Sequence, residues 1–136
     1  MDNYIISCNP ERFDIIQYWT HSNEVYWKQT KKFCIGDQVY VYVGKPYSRL
    51  MFQCEVTDIN IPSITDENGY YSTYDSGRNK DKPFMKIILK EELPDKGLTL
   101  NDLFKHGLKT VQCTTKADEE LIKYILSIKR NYKKSI

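Results

Sequence analysis

The chain has 136 residues, of which 40% are hydrophobic and 28% charged, and its net charge is +2. This length fits one domain, 1–136, and leaves no room for a second independent core, while the composition excludes a disordered or fibrous chain. So small a charge gives only slight support to a nucleic-acid partner, because non-specific binding relies on a clearly basic face.

Residues 4–8, Tyr-Ile-Ile-Ser-Cys, form a β-prone run that stops at Asn9-Pro10, where proline removes a donor. Phe13, Ile16 and Trp19 then recur at helical spacing, which predicts a short helix over 10–19 capped by Asn9, with Pro10 in its first turn. Residues 20–34 show no clear period. Gly36-Asp37 signals a turn, and Gln38 to Val43 alternates strictly, which predicts a strand with Val39, Val41 and Val43 on one side and Tyr40 and Tyr42 on the other. Gly44-Lys45-Pro46-Tyr47-Ser48 turns the chain into a second strand over 50–61, ended by Pro62.

Residues 63–82 are polar and read as a long loop, either a ligand cover or a mobile insertion. Phe84 to Leu89 restores a strand, and a brief helix is expected over 98–104, closed at Gly107. Another short strand is expected over 110–114. Leu121, Ile125 and Ile128 then mark a terminal amphipathic helix over 117–132. Alternating strands, a few short helices and no β-α-β rhythm predict an α+β domain around a small antiparallel or mixed β-barrel, flanked by short helices and a C-terminal helix.

The order of these features resembles the EVE family of the PUA-like superfamily, relatives of the YTH and ASCH domains. The residues that carry the resemblance are Ser7-x-x-Pro10 at the end of the first strand, Trp27 upstream of the hairpin, Ile35 to Tyr42 with its Gly-Asp turn, and Cys54-Glu55-Val56 in the next strand. Cys8-Asn9 stands where a charged residue is common in that family, and Val43-Gly44 where a polar one is expected. Gly107-Leu108-Lys109 with Gln112 is similar to a segment of bacterial relatives attached to restriction-type nucleases. The resemblance implies a cleft on the barrel that takes a base flipped out of DNA or RNA, often a modified one, by aromatic stacking and polar contacts.

Eleven tyrosines and two tryptophans would suit a stacking pocket, and suit β-strands equally. Trp27, in the polar run Tyr26-Trp27-Lys28-Gln29, reads as a pocket wall or as core, whereas Trp19 fits the apolar face of the first helix. Ser7 and Asn9 end a strand where short polar groups can read a base edge, or simply cap the next helix. Tyr42 and Tyr47 flank the hairpin and either stack on a ligand or pave the barrel. Lys45 and Arg49, together with Lys129, Arg130, Lys133 and Lys134, are candidate phosphate contacts or solvated charges.

His21 and His106 lack the neighbours of a triad or metal site, and Cys8, Cys34, Cys54 and Cys113 form no C-x-x-C pair. No catalytic residue, metal or cofactor is expected, and the thiols should be reduced and mostly structural. No segment approaches the roughly 20 apolar residues that cross a bilayer, so a cytoplasmic protein without membrane contact is expected. The leading expectation is a non-enzymatic nucleic-acid-binding module with a base pocket. Its alternatives are a protein-interaction or regulatory module with a degenerate pocket, or a small nucleoside-type hydrolase.

Overall fold

The computed structural model describes residues 1–62 and 83–134, apart from the side chains of Lys133 and Lys134; the loop expected over 63–82 lies outside these residues. Strands β1 (Asn3–Cys8), β2 (Glu24–Lys28), β3 (Gln38–Val43), β4 (Arg49–Ile61), β5 (Phe84–Glu92) and β6 (Thr115–Lys116) form one mixed sheet in the order β2-β5-β4-β3-β1-β6. Among the described residues, three helices accompany it: α1 (Ile15–Trp19), α2 (Leu100–Lys105) and α3 (Glu119–Lys134). The β1–β3 pair is parallel and every other pair antiparallel. The fold is α+β, as expected, and β3 has the boundaries that its alternation predicts.

Alternation explains how one sheet serves two cores. On β1 and β3, Tyr4, Ile6, Cys8, Val39, Val41 and Val43 face a first core, while Ile5, Tyr40 and Tyr42 face a second. The first core is rich in rings, adding Phe13, Trp27, Phe33, Phe52 and Phe84. The second is mainly aliphatic and lies under α2 and α3, with Leu50, Leu98, Leu103, Leu121 and Ile125 fully buried. Leu121 and Ile125, one turn apart, are the buried stripe of α3 that the sequence predicts.

The Gly36-Asp37 turn has a structural cause. Gly36 has a φ of 98°, which favours glycine, and the Asp37 carboxylate accepts the backbone N–H groups of Cys34 at 2.8 Å and Asp2 at 2.9 Å. A nearly fully buried carboxylate therefore ties the start of β1 to the start of β3. Val56 N–H donates to the Asp37 carbonyl at 2.9 Å and adds β4 to the same joint.

Several elements differ from expectation. The sheet does not close into a barrel: among the described residues no ladder joins its edge strands β2 and β6. The two edges still meet through a side-chain bond, Thr30 Oγ1 to Thr114 Oγ1 at 2.9 Å. The first helix begins at Ile15 and not at Pro10, because Asn9 caps a separate turn, accepting Glu11 N–H on Oδ1 at 3.0 Å, and Asp14 caps α1 by accepting Gln17 N–H at 3.0 Å. The strand expected over 110–114 is displaced to β6, since the Thr110 hydroxyl takes the Gln112 N–H at 3.1 Å and bends the chain there. Strand β2 falls in the segment without a period; its pattern of burial does not alternate, and its partner β5 lies far along the chain.

Candidate functional site

Three places on the sheet carry polar groups beside accessible surface. The first is the seam between the edges of the curled sheet. Thr30 follows β2, and Thr114 precedes β6, which pairs with Tyr4 and Ile5 of β1. Next to this contact the Ser7 hydroxyl donates to the Val111 carbonyl, and the Tyr4 hydroxyl donates to the Lys32 carbonyl at 3.3 Å. Trp27 and Phe33, three residues to either side of Thr30, belong to ring pairs of the first core, with Tyr4 and Phe33 at 4.5 Å and Phe13 and Trp27 at 5.9 Å between centroids. Lys31 and Lys32 are exposed on the segment that leaves Thr30. The Gln29 amide holds this segment in place: it donates to Asn60 Oδ1 at 3.0 Å and accepts Asn60 N–H at 2.8 Å.

The second place is the β3–β4 hairpin. Gly44 N–H donates to the Cys8 carbonyl at 3.0 Å, so the hairpin lies against the end of β1. Tyr47 and Ser48 donate their N–H groups back to the Gly44 carbonyl at 3.0 and 3.3 Å. The turn presents Lys45, and it places Tyr47 under Arg49, with the guanidinium carbon 5.8 Å from the ring centroid. Beyond Arg49 the segment Leu98–Leu100 clamps β4, through Leu50 N–H to the Leu98 carbonyl at 3.0 Å and Leu100 N–H to the Ser48 carbonyl at 3.3 Å.

The third is a cleft of about 350 Å³ beside the start of α3, lined among others by Gly107, Lys109, Thr115, Lys116 and Asp118. Its charged groups are largely engaged within the fold. Asp118 accepts the Leu121 N–H at 3.0 Å, capping α3, and Lys116 reaches Asp2 at 3.4 Å.

The residues singled out from the sequence fall into distinct environments. Trp27 is only 4% exposed and Tyr42 only 6%, and they belong to the two different cores, so the two rings face opposite sides of the sheet. Ser7 has the same parity on β1 as Ile5 of the second core, and its partner Val111 packs against that core. Ser7 and Trp27 therefore lie on opposite faces of the sheet and do not form two walls of one concave surface. Asn9 is exposed and engaged in its turn. Lys45, Tyr47 and Arg49 are gathered at the hairpin. Among the C-terminal basic residues, Lys129 bonds to Glu91 and to Gln53 Oε1, while Arg130 is exposed.

The seam pair Thr30 and Thr114 carries no local signal: the two lie 84 residues apart and only the curl of the sheet unites them. Trp19 packs edge-on to Phe52 at 6.0 Å between centroids. Its indole N–H and Arg49 Nε are the buried side-chain polar atoms without a hydrogen-bond partner among the described residues. Cys8 donates its thiol to the Phe13 carbonyl at 3.3 Å, and burial pushes its pKa up to about 12; burial raises that of Cys54 as well. Both are unreactive thiols at neutral pH.

No protein-family model and no curated protein matches the chain. Solved structures do. A hypothetical protein from Leishmania major aligns with a TM-score of 0.69 at 15% identity, covering 98% of this chain and 97% of that one. The ASCH protein from Zymomonas mobilis aligns with a TM-score of 0.64 at 14% identity over 93% of this chain and 95% of its own. The human THYN1 protein, solved in complex with 5-methylcytosine-containing DNA, aligns with a TM-score of 0.66 at 11% identity over 95% of this chain and 98% of its own. The chain thus has the PUA-like fold that the ASCH and THYN1 structures share.

Proposed function

We propose that this chain is a nucleic-acid-binding module of EVE type that takes one extruded base, of modified DNA or RNA, at the seam between β2 and β6, and that it binds without catalysing a reaction. The observation that carries this reading is the seam itself. Thr30 and Thr114 join their hydroxyls there, Ser7 bonds to the carbonyl of Val111 three residues before Thr114, and Trp27 and Phe33, three residues to either side of Thr30, belong to the ring pairs Phe13–Trp27 and Tyr4–Phe33 of the first core. Such groups can read a base edge, and rings return roughly 1–3 kcal/mol per stacked base, comparable to the cost of unstacking. The overall likeness to THYN1, which was solved with methylated DNA, supports the same reading.

Support for binding without chemistry comes from the histidines. His21 bonds Gln17 across one helical turn, and His106 stacks on Tyr124 with centroids 3.6 Å apart, neither beside a nucleophile among the described residues. The test is titration of short oligonucleotides, with and without cytosine or adenine modification, at low salt. Binding that prefers one modification is the expected result; no binding to any of them overturns the reading.

A second reading, a protein-interaction or regulatory module of the same fold, draws on one observation: Trp27 and Tyr42 already fill the cores. It predicts no oligonucleotide binding, with the fold intact.

A further inference from the structure

Among the described residues, Arg49 is a charged side chain left without a hydrogen-bond or ion-pair complement in a partly buried setting. Its Nε is buried with no acceptor, and no hydrogen bond or ion pair to its guanidinium occurs among the described residues. The ion pairs of Lys86, Lys116, Lys123 and Lys129 show that this protein does supply carboxylates to other cations. Burial of one nitrogen of a charged group without an acceptor is costly, and structures ordinarily resolve that cost with a partner. The Trp19 indole shares the lack of an acceptor, but it is neutral, so its cost is that of one unmade hydrogen bond.

The surroundings of Arg49 hold its position without neutralising it. Tyr47 lies 5.8 Å from the guanidinium carbon and offers a ring face. The bonds of Leu50 and Leu100 to neighbouring backbone fix the start of β4. Lys45 is exposed on the same turn, so a second cation is four residues away. A planar fork of donors near a tyrosine ring, with a lysine on the same turn, matches the oxygens of a phosphoryl group, to which arginine binds in bidentate fashion.

We propose that the β3–β4 hairpin is a phosphoryl-binding corner, in which Arg49 receives two oxygens and Lys45 adds charge. The group would be a phosphodiester of a nucleic-acid strand or a free phosphate, and the first source rests on the function proposed above. The hairpin meets the end of β1 through Gly44 and Cys8, the strand that also carries Ser7 to the seam. A strand held at the corner would then be anchored by its backbone while a base is received elsewhere.

The experiment follows the Arg49 Nε–H signal of the ¹⁵N-labelled protein by NMR while inorganic phosphate, and separately a single-stranded oligonucleotide, are added. Salt dependence of oligonucleotide binding is measured for the native chain, Arg49→Gln and Arg49→Lys. The expected result is a saturable shift of the Nε–H signal, with a salt slope lower by about one for Arg49→Gln and affinity only partly kept by Arg49→Lys. A signal that moves with phosphate but not with the oligonucleotide sustains the corner and counts against the nucleic-acid reading. Oligonucleotide binding with the slope of Arg49→Gln unchanged, and a signal that moves with neither the oligonucleotide nor phosphate, together overturn the corner and leave that reading standing. A signal that moves with neither ligand overturns the corner. The signal is read on the native chain, so the outcome does not depend on how well either variant folds.

Discussion

The two faces of the sheet are built from different material. Against α2 and α3, aliphatic side chains such as Leu50, Leu98, Leu103, Leu121 and Ile125 close a core under two helices. On the other face, under the short helix α1, the core is largely rings: Tyr4, Phe13, Trp27, Phe33, Phe52 and Phe84. A five-residue helix covers less than a sixteen-residue one. The helix-covered face is packed mainly with aliphatic groups, whereas the other is packed largely with aromatic rings that are themselves buried.

The largest test of this contrast is truncation on each face. Trp27→Ala removes a nearly fully buried ring from the first core and is expected to cost about 3–5 kcal/mol, against about 2–5 kcal/mol for Leu121→Ala in the second. Denaturant unfolding of both variants checks the values. If Trp27 instead served chiefly as a pocket wall, Trp27→Ala would unfold like the native chain and lose only ligand affinity. A loss below about 1 kcal/mol would therefore break the account of the ring-rich face as core.

Much of this arrangement was legible in the sequence, and the exceptions have physical causes. The alternation of 38–43 assigns Val39, Val41 and Val43 to one core and Tyr40 and Tyr42 to the other without knowledge of the fold. The stripe of α3 is equally local. Strand β2 was not visible, because Glu24–Lys28 gains its strand character from Ile88–Phe84 across the sheet and has Trp27 and Lys28 buried in succession. The boundaries of α1 and β6 shifted because Asn9, Asp14 and Thr110 chose among competing local hydrogen bonds, and sequence pattern does not rank those. For the site, the hairpin trio of Lys45, Tyr47 and Arg49 lies within five residues and was readable. The seam depends on the meeting of two distant edges and was not. Trp27 looked available because its sequence neighbours are polar, yet its parity on β2 points it inward with Val25.

A smaller effect sharpens the same contrast through titration. Cys8 and Cys54 both belong to the ring-rich core. An unfolded thiol ionises near pH 8.5, whereas burial pushes folded Cys8 up to about 12. Between those values the folded chain holds more protons than the unfolded chain, so stability present below pH 8.5 is lost as pH rises. The loss from this one thiol should reach about 2 kcal/mol by pH 10. Cys8→Ala should flatten the decline by about that amount, whatever it does to stability at pH 7. Unfolding free energies measured from pH 7.5 to 10 check this, and equal slopes in the native and variant chains would show that Cys8 is not sealed in that core. The exposed Cys34 and Cys113 should be alkylated at neutral pH while Cys8 and Cys54 are spared.

The smallest expected effect concerns the seam itself. The 2.9 Å bond between Thr30 and Thr114 is a contact between half-buried hydroxyls, and such a bond contributes about 0.5–1.5 kcal/mol net. Valine keeps the shape of threonine and removes the hydroxyl, so Thr30→Val and Thr114→Val should each lose about that much. The double variant should lose little more than either alone, because both changes delete the same bond. Fully additive losses would mean that the two edges are held by other contacts, and that the sheet's closure does not pass through this pair. Oligonucleotide affinity separates the structural role from the functional one. If a base enters at the seam, the pair must part or be read by the guest, and both single variants should change affinity even where their stabilities match that of the native chain at the temperature of measurement. An affinity unchanged in both, beside a measurable coupling in stability, would leave the Thr30–Thr114 bond as a clasp of the fold and move the point of base entry away from it.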